Sequence, residues 1–258
     1  MYEPCSKTDT YLQKVVRVIK VDNTHNDRSV SQPQTSENLA HALGSFDAVI
    51  FDFDGTLADT SEQIISVARQ VLSRFGLSRE RFVDIPQLIG PPFPQAFELV
   101  FGYSPEQAQE ITKQYRAIYS KLGRDAWPLF EGIDSMLHEL KAAGKKLGVA
   151  SSKRDHLLHR ALEENEVEQV FDVILGKQDD SCEPKSQTLQ HVINKLGVDA
   201  SRCVMVGDRL YDVEAARACG IASIGVYYGK TAPCGELEQA GATFIVHSVE
   251  ELKHALLS

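Results

Sequence analysis

Thiols are sparse in this chain and arranged for nothing. Its 258 residues hold five cysteines, Cys5, Cys182, Cys203, Cys219 and Cys234, scattered and without a C-x-x-C pair. An odd, unpaired set of this kind indicates neither a disulfide framework nor a thiolate zinc site, and suits a reducing compartment. Long apolar runs are missing too: nothing approaches the roughly 20 residues of a membrane-spanning helix. The N-terminus lacks the uninterrupted apolar core of a secretory signal. Positive charge is in deficit, with 27 Lys and Arg against 36 Asp and Glu, a net charge of −9. A general nucleic-acid binder needs a basic face. The expectation is a cytoplasmic protein without membrane or nucleic-acid partners. An anionic substrate stays possible, because local lysines and a metal override the global sign. The eight histidines show no metal-ligand spacing, and the single tryptophan, Trp127, precedes Pro128 and reads as a packing residue.

Hydrophobic residues make up 43% of the chain, enough for a sizeable core. The first 44 residues differ from the rest. A basic-apolar segment, YLQKVVRVIKV, is followed by the polar stretch DNTHNDRSVSQPQTSEN, which reads as a flexible linker. Residues 1–44 are therefore an N-terminal extension, either dispensable or a partner-binding or targeting segment.

From Ser45 onward short apolar runs alternate with helical spacing. FDAVIF (46–51), KKLGVA (145–150), FDVIL (171–175), RCVMV (202–206), ASIGV (222–226) and TFIV (243–246) read as buried parallel strands. Such alternation implies an α/β fold, a doubly wound parallel sheet with a Rossmann-like core. Residues 61–129 break the rhythm. They hold two amphipathic helices, one through Ile64, Ala68, Val71, Leu72 and Phe75, the other through Ala108, Ile111, Tyr115, Ile118 and Leu122. Between them IGPPFP makes a rigid non-helical turn. The core is thus expected at 45–60 and 130–258, with 61–129 as an inserted helical domain over the strand ends.

AVIFDFDGTLADT (48–60) ends its apolar run on Asp52 and Asp54, which point to one side while the chain is extended. In open parallel sheets ligands bind beyond the carboxyl ends of the strands. Ser151 follows the second apolar run and Asp208 the fourth, with Asp212 one helical turn on. Lys185 stands where a helix begins. Carboxylates crowded this way raise one another's pKa unless a cation compensates. A small hard cation, Mg²⁺, fits an all-oxygen donor set. Asp52 and Asp208 are candidate direct ligands. Asp54 belongs to the candidate metal set and is also the carboxylate left for proton transfer. Phosphoryl transfer needs charge neutralisation and positioning, which the metal, Lys185 and Ser151 would supply. Asp52 would attack phosphorus and Asp54 would act as acid and then base. Gly55 lets the chain turn with its amide toward the site.

DFDGTLADT, Ser151 after its strand, Lys185 and VGDRLYD (206–212) resemble, in order, the four motifs of the haloacid dehalogenase superfamily. The resemblance covers about residues 46–257, and the helical insert is similar to the cap found between the first two motifs. An aspartate at position 54 implies phosphate monoester chemistry rather than dehalogenation. VGDRLYDVEAARACGIASIGVYYG and IGPPF resemble the phosphoglycolate phosphatase-like branch, whose members include 5'-nucleotidases and pyrophosphatases. The third motif departs from the usual lysine-proline order, reading EPK, so Lys185 is the match and Lys177 the fallback.

The expected activity is Mg²⁺-dependent hydrolysis of a small phosphorylated metabolite, phosphoglycolate-like or a nucleoside monophosphate, by a monomer or homodimer. A pyrophosphatase, a sugar-phosphate mutase and a non-catalytic phosphate-binding protein are the alternatives. Ser151, Ser152, Gly55, Thr56 and Arg116 are candidate substrate contacts, with Asp212 behind Lys185. Ser152, Lys153 and Arg154 read equally as phosphate contacts or surface residues. Arg209 is expected to buttress acidic groups and Asp59 to cap the first cap helix. The chain crossings near 59–61 and 127–132 are candidate hinges.

Overall fold

Burial along the first strand explains the layering. The sheet strands are β1 (Ala48–Phe51), β2 (Lys146–Arg154), β3 (Val173–Lys177), β4 (Cys203–Gly207), β5 (Ala222–Val226) and β6 (Phe244–Val246). All four residues of β1 are buried. Ala48 and Ile50 enter one apolar cluster, Val49 and Phe51 the other. A strand apolar on both sides must be covered by helices on both sides. The computed structural model, which describes residues 46–179 and 183–257, has this arrangement. The expected extension at 1–44 lies outside the described residues.

The helices are α1 (Ser61–Arg74), α2 (Gln95–Phe101), α3 (Pro105–Tyr119), α4 (Ile133–Ala142), α5 (Asp155–Glu164), α6 (Lys185–Leu196), α7 (Leu210–Ala218), α8 (Glu236–Ala240) and α9 (Val249–Leu257). Helices α6 and α7 cover the Ala48 and Ile50 face, while α4, α5 and α9 cover the other. Gly148 allows α6 to approach: a Cβ there would lie 2.7 Å from Val192 Cγ1. The sheet runs β3-β2-β1-β4-β5-β6 with every pairing parallel. All six apolar runs of the sequence are strands, and the doubly wound α/β fold is as expected. The chain moves outward in opposite directions from β1 and β4, so a crevice opens beyond their carboxyl ends.

Strand β2 departs from the sequence expectation. It does not stop at Ala150 but continues to Arg154, and its register with β3 shifts between those two residues. That irregular stretch carries Ser151, Ser152 and Lys153.

Between β1 and β2 stand α1 to α4, of which α1 to α3 lie in the stretch expected as the inserted helical domain. Both long helices bury the apolar stripe that their spacing predicts. Helix α3 begins on a Ser104–Gln107 capping box with Pro105 at its first position. A ten-residue 3₁₀ stretch, Arg79–Leu88, and the seven-residue α2 lie between them. Neither was expected: α2 makes only about two turns, and a 3₁₀ stretch repeats about every three residues, so neither leaves the α-helical period in the sequence. The chain leaves and re-enters the sheet side by side: Asp59 N donates to Pro128 O at 2.8 Å and Phe130 N to Leu57 O at 3.1 Å. Asp59 does not cap α1. The cap position is Thr60, and the Asp59 carboxylate accepts from Ser61 Oγ instead. Among the described residues no helix is long and apolar enough to cross a membrane.

Candidate active site

Asp52 is the first residue beyond β1 and Asp208 the first beyond β4, so these adjacent parallel strands deliver both carboxylates to the crevice. Asp212 is in the first turn of α7 and Lys185 is the first residue of α6. One oxygen each of Asp52, Asp208 and Asp212 lies within 4.8 Å of the others. Lys185 Nζ stands 2.9 Å from Asp52 Oδ1 and 2.5 Å from Asp212 Oδ1. Lys177 is not at this cluster but lines the cleft beside it, its ammonium donating to Glu183 O at 2.8 Å.

Asp208 is fixed from two sides. Thr56 Oγ1 donates to its Oδ1 at 3.0 Å and Thr231 Oγ1 donates to its Oδ2. Gly55 makes this possible. Its φ is +81°, and a Cβ would sit 2.3 Å from Asp208 Oδ2. Gly55 and Thr56, expected as substrate contacts, are buried beside Asp208, and the Gly55 amide, expected to face the site, donates to Ala58 O at 2.9 Å. The left-handed glycine turns the chain back under the carboxylate, which carries the Thr56 hydroxyl inward. Arg209 does buttress acidic groups: its Nε donates to Glu236 Oε1 at 2.8 Å, both side chains being buried.

Asp54, also expected in the metal set, keeps its carboxylate apart from the three clustered ones, which are those of Asp52, Asp208 and Asp212. Asp54 Oδ1 instead accepts from Lys153 Nζ at 2.9 Å. Lys153, on the irregular end of β2, also donates to the Tyr119 hydroxyl at 3.1 Å. Its ammonium lies 5.3, 4.9 and 5.7 Å from the ring centroids of Phe53, Tyr119 and Trp127. Trp127 packs in the core as expected, but also forms one wall of this box and donates from Nε1 to Glu164.

Burial dominates the titration of the cluster. It pushes Asp52 up to about 6 even though Lys185 pulls the other way, with the charge of Asp212 adding to the rise. Asp208 is pushed up to about 8, by burial first and then by Asp212 and Asp52. Burial would lower the Lys185 amine, but Asp212 and Asp52 outweigh it and hold it above its ordinary value. Asp54 and Tyr119 likewise hold Lys153 above its own. Three carboxylates and one ammonium carry a formal charge of −2. A divalent cation with oxygen ligands neutralises that sum, and the donor set of Asp52, Asp208 and Asp212 fits Mg²⁺.

The cleft above this cluster is lined on the sheet side by Asp52, Asp54 and the run Ser151–Arg154. Its other wall is largely apolar, with Leu88, Ile89, Pro91 and Phe93 among its residues, and α3 contributes Tyr115, Arg116 and Tyr119. Ser151, Ser152 and Arg116 therefore face the cleft. Lys153 read from sequence as a phosphate contact or a surface residue, and Tyr119 was given no role. The basic pair after SS hinted at Lys153, and the apolar stripe of α3 placed Tyr119 inward, but nothing in the sequence joined them.

The haloacid dehalogenase-like hydrolase model matches residues 49–226. A Mycobacterium tuberculosis protein named tyrosine-protein kinase PtkA is 35% identical over 211 residues, covering 81% of this chain and 72% of that protein. A 5'-nucleotidase of Pseudomonas aeruginosa is 31% identical, covering 70% of this chain and 82% of the relative. The crystal structure of a predicted phosphatase from Clostridium acetobutylicum superposes with a TM-score of 0.78 at 32% identity, over 83% of this chain and 99% of that one. The chain belongs to the haloacid dehalogenase-like hydrolase family, as a phosphoric monoester hydrolase.

Proposed function

We propose that the protein hydrolyses a small phosphate monoester with Mg²⁺ as its metal and Asp52 as its nucleophile. The observation that supports this is Asp52 itself, at the foot of the cleft, with Lys185 on one carboxylate oxygen and Asp54 two residues away in the same cleft. An Asp52 oxygen bonds to phosphorus as the ester P–O bond breaks, and the leaving oxygen takes a proton from Asp54. Water then attacks phosphorus and gives its proton to Asp54. The bond to Asp52 breaks, releasing phosphate and restoring the carboxylate. Lys185 balances charge at Asp52, and the Ser151 hydroxyl is free to donate to a phosphoryl oxygen while its own oxygen accepts from Lys153 N at 3.3 Å. A metal held by Asp52, Asp208 and Asp212 supplies neutralisation of the phosphoryl charge.

Arg116, Arg154 and Lys177 line the same cleft. Three cations lining the cleft favour a substrate with negative charge beyond the transferred phosphoryl group, as in phosphoglycolate or pyrophosphate, whereas a nucleoside monophosphate has an uncharged leaving group. The test is phosphate release from these compounds and from sugar phosphates, with Mg²⁺ and with EDTA, by wild type and Asp52→Asn. Metal-dependent release that vanishes in the variant is expected; no release by folded wild type would overturn the reading. The 35% identity to a protein named a tyrosine kinase supports one other reading, transfer from a nucleotide to a protein hydroxyl. Label passing from γ-labelled ATP to a tyrosine peptide, with no free phosphate formed, would favour it.

A further inference from the structure

We infer that Lys153 is a positioning residue for Asp54, and that Tyr119 of α3 completes its hold. The inference rests on the phosphatase reading above. A lysine side chain rarely lies buried unless its charge is paired, and only 6% of the Lys153 side chain is exposed. Its ammonium has two hydrogen-bond acceptors, the Asp54 carboxylate at 2.9 Å and the Tyr119 hydroxyl at 3.1 Å. The rest of its surroundings are the faces of Phe53, Tyr119 and Trp127, each within the range at which a ring attracts a cation. The ammonium therefore has one place to sit. Because Asp54 bonds to it directly, the carboxylate has one place as well.

The parts of this box come from distant segments. Lys153 and Asp54 are 99 residues apart, and Lys153 and Tyr119 are 34 apart. Tyr119 is itself held, its ring stacked on Tyr115 at 5.2 Å and 17°. Helix α3 thus reaches the acid–base carboxylate through one lysine. The hold is complete only while α3 lies over the end of β2. The Lys153 main-chain N–H also donates to Ser151 Oγ, so one residue orients two groups of the site. This assigns Lys153 to Asp54 rather than to the phosphoryl oxygens, the role its place after the second motif suggests.

The test is a double-mutant cycle with phosphoglycolate and p-nitrophenyl phosphate as substrates. Lys153→Met should lower kcat on phosphoglycolate by about 100-fold, within the range general acid–base catalysis contributes, with KM little changed. The loss should be smaller on p-nitrophenyl phosphate, whose leaving group departs without a proton. In an Asp54→Asn background the same change should cost less than about threefold, because a positioning residue has nothing left to position. Tyr119→Phe, which removes only a hydroxyl, should lower kcat in the same sense by roughly three- to tenfold. Thermal unfolding of each variant separates loss of fold from loss of positioning. An equal loss in both backgrounds, or a loss appearing as raised KM, would overturn the inference and make Lys153 a packing residue or a phosphate ligand. Wild type inactive on both esters would overturn the phosphatase reading, and this inference with it.

Discussion

Without a metal, the protein should lose stability as pH rises from 6 to 8, and Asp208 should account for much of the loss. The carboxyl is fully buried, and its folded-state pKa stands near 8 against an ordinary value of 3.8. A carboxyl with a raised folded pKa binds its proton more tightly in the native state than in the unfolded chain. Its contribution to stability is complete below about pH 4 and is lost as pH climbs to about 8. One pH unit per proton is worth about 1.4 kcal/mol, so Asp208 alone removes about 2 kcal/mol between pH 6 and pH 8. For a chain of this length that is roughly 4–8 °C in Tm. The measurement is thermal unfolding in EDTA at both pH values, for wild type and Asp208→Asn. The variant should show a drop smaller by about that amount. Mg²⁺ should restore wild type most at pH 8, where the carboxylates it would bind are already ionised, and should restore the variant little. Equal pH slopes in the two proteins would refute the burial argument, and equal Mg²⁺ responses would refute Asp208 as a ligand.

Gly55→Ala meets both a left-handed φ and a Cβ contact of 2.3 Å with Asp208. Backbone strain alone costs about 1–2 kcal/mol, so a larger fall in unfolding free energy is expected, with phosphate release lost along with it; a variant as stable and active as wild type would show that the turn is not needed. Arg116→Ala should raise KM for phosphoglycolate several-fold while leaving kcat nearly unchanged, since Arg116 lines the cleft and takes no part in the proposed bond-making steps. Steady-state kinetics decide this, and an unchanged KM would return Arg116 to the solvated face of α3.

Six apolar runs of four to six residues, separated by helical spacing, announce a parallel sheet, because burial on both faces leaves a strand no polar alternation. Asp52, Ser151, Lys185 and Asp208 could be placed from sequence for the same reason: each stands at or just past the end of a recognisable element, and parallel strands bring those ends together. The elements between α1 and α3 were hidden because α2 is shorter than the window periodicity needs and the 3₁₀ stretch does not repeat with the α-helical period. The true length of β2 was hidden because its last residues pair out of register with β3.

What the chain's own pattern determined is therefore the order of the strands' ends and the residue types delivered to them. Tertiary structure alone decided which way those side chains turn and whom they meet. The motif order could not show that Asp54 leaves the acidic cluster for Lys153, that Asp212 joins Asp52 and Asp208, or that Thr56 serves a carboxylate 152 residues away. Periodicity records which face of an element is buried. It carries no record of the partner on the other side, and in this site the partners set the charge, the positions and the chemistry.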